Sequence, residues 1–112
     1  MTDIKLCDLS DIEDGNSAGF VIETPDDGKR SVIAVRKSDQ VHAYVNSCPH
    51  IGAPLDFQPG HFLNRDKTHI MCSTHGALFQ IEDGLCVAGP CTDKFLEPLE
   101  TKTTGADVWV IF

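Results

Sequence analysis

The chain has few long apolar runs, little helical periodicity and few basic residues. No stretch approaches the roughly twenty apolar residues that span a bilayer. The start, Met1-Thr2-Asp3-Ile4-Lys5, lacks the basic and apolar segments of a secretion signal. A cytoplasmic, non-membrane location is the expectation. Nine basic residues face seventeen acidic ones, for a net charge of −8. Phosphate backbones repel such a surface, which argues against a nucleic-acid partner, whereas a basic patch on a protein would be attracted. No G-x-G-x-x-G fingerprint for a flavin or dinucleotide appears. The five cysteines are an odd number, and a reducing compartment argues against a disulfide framework. Their spacing therefore has to explain them.

What is present is a series of short apolar or alternating runs, at 20–23, 32–36, 41–45, 68–71, 78–81 and 108–112. Turn formers separate them: Asp14-Gly15, the stretch 25–28, Lys37-Ser38-Asp39, 64–67, Glu82-Asp83-Gly84 and Thr104-Gly105-Ala106. Many short strands at close spacing predict an all-β, antiparallel sandwich or barrel. One helical turn over 9–14, with Ser10 as its cap, is the only helix the pattern suggests. At 112 residues the chain has the length of a single domain, 1–112, without repeats or linkers. Two stretches break the strand rhythm. Residues 47–60 hold Pro49, Pro54 and Pro59, which exclude a continuous central strand. Residues 84–92 hold Gly84, Gly89 and Pro90 with Cys86 and Cys91, and read as a second shaped loop.

The chemistry lies in Cys48-Pro49-His50 and Cys72-Ser73-Thr74-His75. Each half offers one thiolate and one imidazole, and the order differs from common zinc spacings that pair Cys with Cys and His with His. Two such mixed loops suit a [2Fe–2S] centre with cysteines on one iron and histidines on the other. A Cys₂His₂ zinc site uses the same ligand types, so ligand identity alone leaves zinc open. Pro49 stiffens the one-residue gap, and Gly52 and Gly76 allow tight turns after the histidines. Backbone N–H groups freed by such turns can donate to cluster sulfurs. His42, His61 and His69 read as ordinary strand or loop residues, Cys7 as a buried strand residue, and Cys86 and Cys91 as packed thiols. Ile51, Leu55, Phe57, Leu78 and Phe79 read as packing for the two loops.

Cys48-Pro-His50-Ile-Gly52-Ala-Pro54-Leu and Cys72-Ser-Thr-His75-Gly76-Ala-Leu-Phe79 resemble the two cluster-binding loops of Rieske ferredoxins and stand-alone Rieske domains. Gly89-Pro90 is similar to the proline loop that shields the cluster in that family. The resemblance implies a Rieske-like antiparallel β fold with a small inserted cluster-binding subdomain at about 46–91. It implies a [2Fe–2S] cofactor, with Cys48 and Cys72 on the inner iron and His50 and His75 on the outer one. Where high-potential relatives carry a cross-loop disulfide this chain has Ala53 and Thr74. Where they carry a serine and a tyrosine it has Ala77 and Phe79, which offer no donor. Donors stabilise the more negative reduced cluster, so their absence implies a low potential.

The expected function is one-electron carriage from a reductase to an oxygenase or similar acceptor, with no substrate site of its own. A second, mononuclear iron domain would not fit in this length. The alternatives are an accessory or redox-sensing Rieske subunit of a larger enzyme, as in nitrite reductase small subunits, and a structural zinc module.

Overall fold

The computed structural model describes residues 3–24, 28–47, 55, 62–72, 76–89 and 92–111. Among these the chain forms β1 (Asp3–Asp8), a 3₁₀ turn at Leu9–Asp11, β2 (Ser17–Thr24), β3 (Gly28–Lys37) and β4 (Gln40–Val45). These are followed by β5 (His69–Met71), β6 (Leu78–Gln80), β7 (Cys86–Ala88), β8 (Pro98–Thr104) and β9 (Asp107–Ile111). The fold is all-β, and every strand pairing is antiparallel.

Six strands form one sheet in the order β1-β9-β8-β4-β3-β2, and three form a second, β5-β6-β7. Leu6 of β1, Ile22 of β2 and Val108 of β9 share one apolar core, so the two edges of the large sheet curl toward each other into a nearly closed barrel. β1 carries a bulge between Lys5 and Cys7, which lets the adjacent Leu6 and Cys7 both face inward.

β3 explains how the second sheet is held. Its run Val32-Ile33-Ala34-Val35 is wholly buried, as a strand covered on both faces requires. Val32 and Ala34 point into the barrel core. Ile33 and Val35, with Tyr44 of β4, point the other way and meet Leu55, Phe62, Ile70, Phe79, Ile81 and Leu96. Each fully buried side chain of this size contributes about 1.5–3 kcal/mol. The small sheet is thus packed on the outside of β3 and β4.

Two expectations need correction. The 3₁₀ turn starts after Asp8 rather than Ser10: the Asp8 backbone N–H donates to Asp11 Oδ2 at 2.9 Å. Residues 84–92 are not all loop, because Cys86–Ala88 pairs with β6 as β7. β1 and β8 were also absent from the expected runs. Both are half-exposed strands whose charged residues mask the alternation. Among the described residues the expected turns carry positive φ at Gly15, Ser38, Lys67, Gly84 and Gly105, while 25–27 lie outside them.

Candidate metal centre

Of the four candidate ligands only Cys72 falls among the described residues; Cys48, His50 and His75 lie outside them. Among the described residues no three His, Cys, Asp or Glu side chains converge as a metal site.

Cys72 follows β5 directly and is fully buried. Its backbone N–H donates to Ala77 O at 2.9 Å, and Gly76 N–H donates back to Cys72 O at 2.9 Å. Those two bonds close the second candidate loop at its neck and lead straight into β6. Gly76 takes φ +70, a conformation glycine adopts without strain.

A third segment sits on this neck. A Cβ built on Gly89 would lie 2.7 Å from Ala77 Cα, so the chain leaving β7 touches the second loop with no room for a side chain. Beyond it, Thr92 N–H and Oγ1 both donate to Gly89 O, at 3.3 and 2.8 Å, and Asp93 N–H donates to Cys86 O at 3.1 Å. The ends of the segment carrying Pro90 and Cys91 are therefore pinned, while those two residues lie outside the described ones.

The small sheet behind the neck is tied to the barrel by Tyr44. Its hydroxyl donates to Ile81 O at 2.6 Å within the core. Burial first, then the Asp83 and Glu82 carboxylates, push this phenol up to about 12. Gly84 faces the ring: a Cβ there would lie 2.8 Å from Tyr44 Cε1. Ala77 and Phe79, both fully buried, bring no hydroxyl to this region.

The other residues singled out in the sequence resolve simply. Leu55 and Phe79 are buried and Leu78 is half-buried, while Ile51 and Phe57 lie outside the described residues. Cys86 is buried opposite Phe79, with its thiol donating to Ala88 O at 3.2 Å. Cys7 belongs to the barrel core; burial first, then Asp11 and Asp8, push its thiol up to about 11, which keeps it protonated and unreactive. His42 and His69 lie in β4 and β5, and His61 is outside the described residues. Sequence reading missed Tyr44 and the seat of Gly89 on Ala77, because both depend on contacts between segments distant in the chain.

The donor chemistry suits an iron–sulfur centre. One thiol is buried at a glycine-turned loop neck, and the thiolate and imidazole partners follow the same mixed pattern in sequence. A match to the Rieske [2Fe–2S] domain family covers residues 2–104. The chain belongs to the Rieske [2Fe–2S] domain family, and its cofactor is a [2Fe–2S] cluster.

Among solved structures it is similar to the ferredoxin of carbazole 1,9a-dioxygenase from Nocardioides aromaticivorans IC177. That match has 25% identity and a TM-score of 0.77, and covers 98% of this chain and 97% of that one. It also matches a chain in a complex of reduced oxygenase and oxidized ferredoxin in carbazole 1,9a-dioxygenase. There the identity is 25% and the TM-score 0.73, over 96% of this chain and 91% of that one. Human apoptosis-inducing factor 3 is 30% identical over 105 residues, 94% of this chain. The chain spans between 11% and 16% of the length of the curated relatives it matches. No helix among the described residues is long and apolar enough to cross a membrane.

Proposed function

We propose that this chain is a single-domain, one-electron carrier of low, ferredoxin-type potential that passes electrons from a reductase to an oxygenase or similar acceptor. The observation that carries this reading is the match with the ferredoxin of a dioxygenase, over 98% of this chain and 97% of that one. In this reading Cys48 and Cys72 hold the inner iron and His50 and His75 the outer one. A cluster-binding subdomain of about 46–91 carries all four. The bound cluster supplies a one-electron couple.

The chain's own residues set the conditions for that couple. Cys72 sits dry, at the end of a strand whose Ile70 packs in the core. Ala77 and Phe79 withhold side-chain hydrogen bonds, which supports a low potential. A reducing, cytoplasmic setting is part of this reading. The net charge of −8 suits a partner with a basic docking rim.

A second reading has its own support. The chain matches only 16% of human apoptosis-inducing factor 3, so a Rieske module also works as one part of a larger protein. In that case electrons would pass within one assembly.

Stopped-flow mixing of the reduced protein with a Rieske oxygenase separates the two. A carrier delivers one electron per chain, at a rate that falls as salt rises. No transfer to a free oxygenase, with transfer only to a stably co-purifying partner, favours the module.

A further inference from the structure

We propose that Asn46 is a positioning residue for the first ligand loop, its carboxamide setting the separation of the loop's two ends and so the aim of Cys48 and His50. This rests on the ligand assignment made under the proposed function. Asn46 is the first residue after β4, and bonds from two distant segments converge on it. Its backbone N–H donates to Ser31 O of β3 at 2.9 Å. Its Nδ2 donates to Ser31 Oγ at 3.2 Å. Its Oδ1 accepts the N–H of Leu55 at 2.8 Å, nine residues further on. The chain turns out of the barrel at the same place, where Ser47 N–H donates to Val45 O at 2.8 Å.

The far end is fixed as firmly as the near one. Leu55 is fully buried in the core with Ile33, Phe62 and Phe79. One side chain therefore joins the residue that follows β4 to Leu55 in the core. A bond between two points nine residues apart limits the spans open to the chain between them. Cys48 and His50 are two and four residues from the clamp, so a change in span reaches both. A carboxamide is well matched to this double contact. Its oxygen accepts from Leu55 while its nitrogen donates to Ser31, and an aliphatic side chain would do neither.

Asn64 provides an internal control. It is a second carboxamide clamp, accepting from Thr68 N–H at 2.9 Å and His69 N–H at 3.1 Å, before β5 and outside both ligand loops. A purely structural role would make the two asparagines interchangeable in their effects.

The test compares cluster-loaded wild type with Asn46→Leu, Asn46→Asp and Asn64→Leu. The readouts are iron release to a chelator, the EPR spectrum of the reduced cluster, the potential and thermal unfolding. Asn46→Leu should release iron at least roughly tenfold faster, the scale of its two lost side-chain hydrogen bonds, and should shift both the EPR anisotropy and the potential. Asn46→Asp keeps the acceptor for Leu55 and can accept from the Ser31 hydroxyl. It should hold release within about twofold of wild type by that same bond count. Asn64→Leu should lower the unfolding temperature yet leave the EPR spectrum unchanged. If Asn46→Leu does not fold, Asn46→Ser, whose hydroxyl is too short for Leu55, should give the same shifts in a smaller side chain. An Asn46→Leu or Asn46→Ser cluster with wild-type spectrum, potential and release overturns the clamp alone. So does an Asn64→Leu variant that shifts the spectrum equally. A wild type without iron and sulfide overturns the ligand assignment, and the clamp with it.

Discussion

The two sheets are built on different principles. In the large sheet, β2 and β3 run for 8 and 10 residues in continuous register, and the barrel core is filled by ordinary aliphatic side chains. In the small sheet each strand has 3 residues, too few for a sheet to persist alone. Its order comes from elsewhere: the outer face of β3 and β4, the Tyr44 hydroxyl, the Asn64 clamp, and the Asp83 carboxylate that accepts Leu85 N–H at 2.9 Å. The difference teaches that the large sheet draws its order from its own long ladders, while the small one draws it from groups delivered by other segments; in the proposed reading the cluster is one more such group.

Iron removal should break that dependence most severely. After chelation, backbone amides of Ile70, Phe79 and Cys86 should lose protection from hydrogen exchange while those of Val32 to Val35 and Val110 keep theirs. Residue-resolved exchange on loaded and stripped protein checks this. Uniform loss across both sheets would show one cooperative unit instead.

Gly89→Ala should come next, costing about 2–4 kcal/mol. Its left-handed φ of +96 is strained for alanine, and the added carbon would meet Ala77 Cα at 2.7 Å. Chemical unfolding should show the loss together with faster bleaching of the cluster. Wild-type values for both would remove Gly89 from the account of the loop neck.

Tyr44→Phe should cost least, about 1 kcal/mol for the bond to Ile81 O. The wild type also carries a pH signature. The folded phenol holds its proton to about 12 against an ordinary 10.0, so the unfolded chain releases that proton first. The Tyr44 contribution to stability is therefore full below pH 10 and is lost as pH rises from there to about 12. Tyr44→Phe should flatten that alkaline limb; an unchanged limb would assign it to other groups, such as Cys7.

Legibility in the sequence does not follow that contrast. Apolar runs between turn residues locate β2, β3, β4 and β9 of the large sheet and β5 and β6 of the small one, while charged residues hide β1 and β8. β7 escapes, because Cys86–Ala88 sits between Gly84 and Gly89 and looks like loop. The candidate ligand residues are legible for a different reason. Paired Cys and His in Gly- and Pro-shaped loops carry a chemical pattern that does not depend on periodicity. Asn46 and Tyr44 leave no such trace, since each acts through a backbone group far from it in sequence.

The central claim is that histidines and cysteines of both loops hold one cluster. Pulsed EPR on the reduced protein, with His75→Cys beside it, tests this most directly. The account predicts two strongly coupled histidine nitrogens in the wild type and one in the His75→Cys variant, with a lowered potential from the added thiolate charge. A wild-type spectrum without strong nitrogen coupling, or one that His75→Cys leaves unchanged, would contradict it.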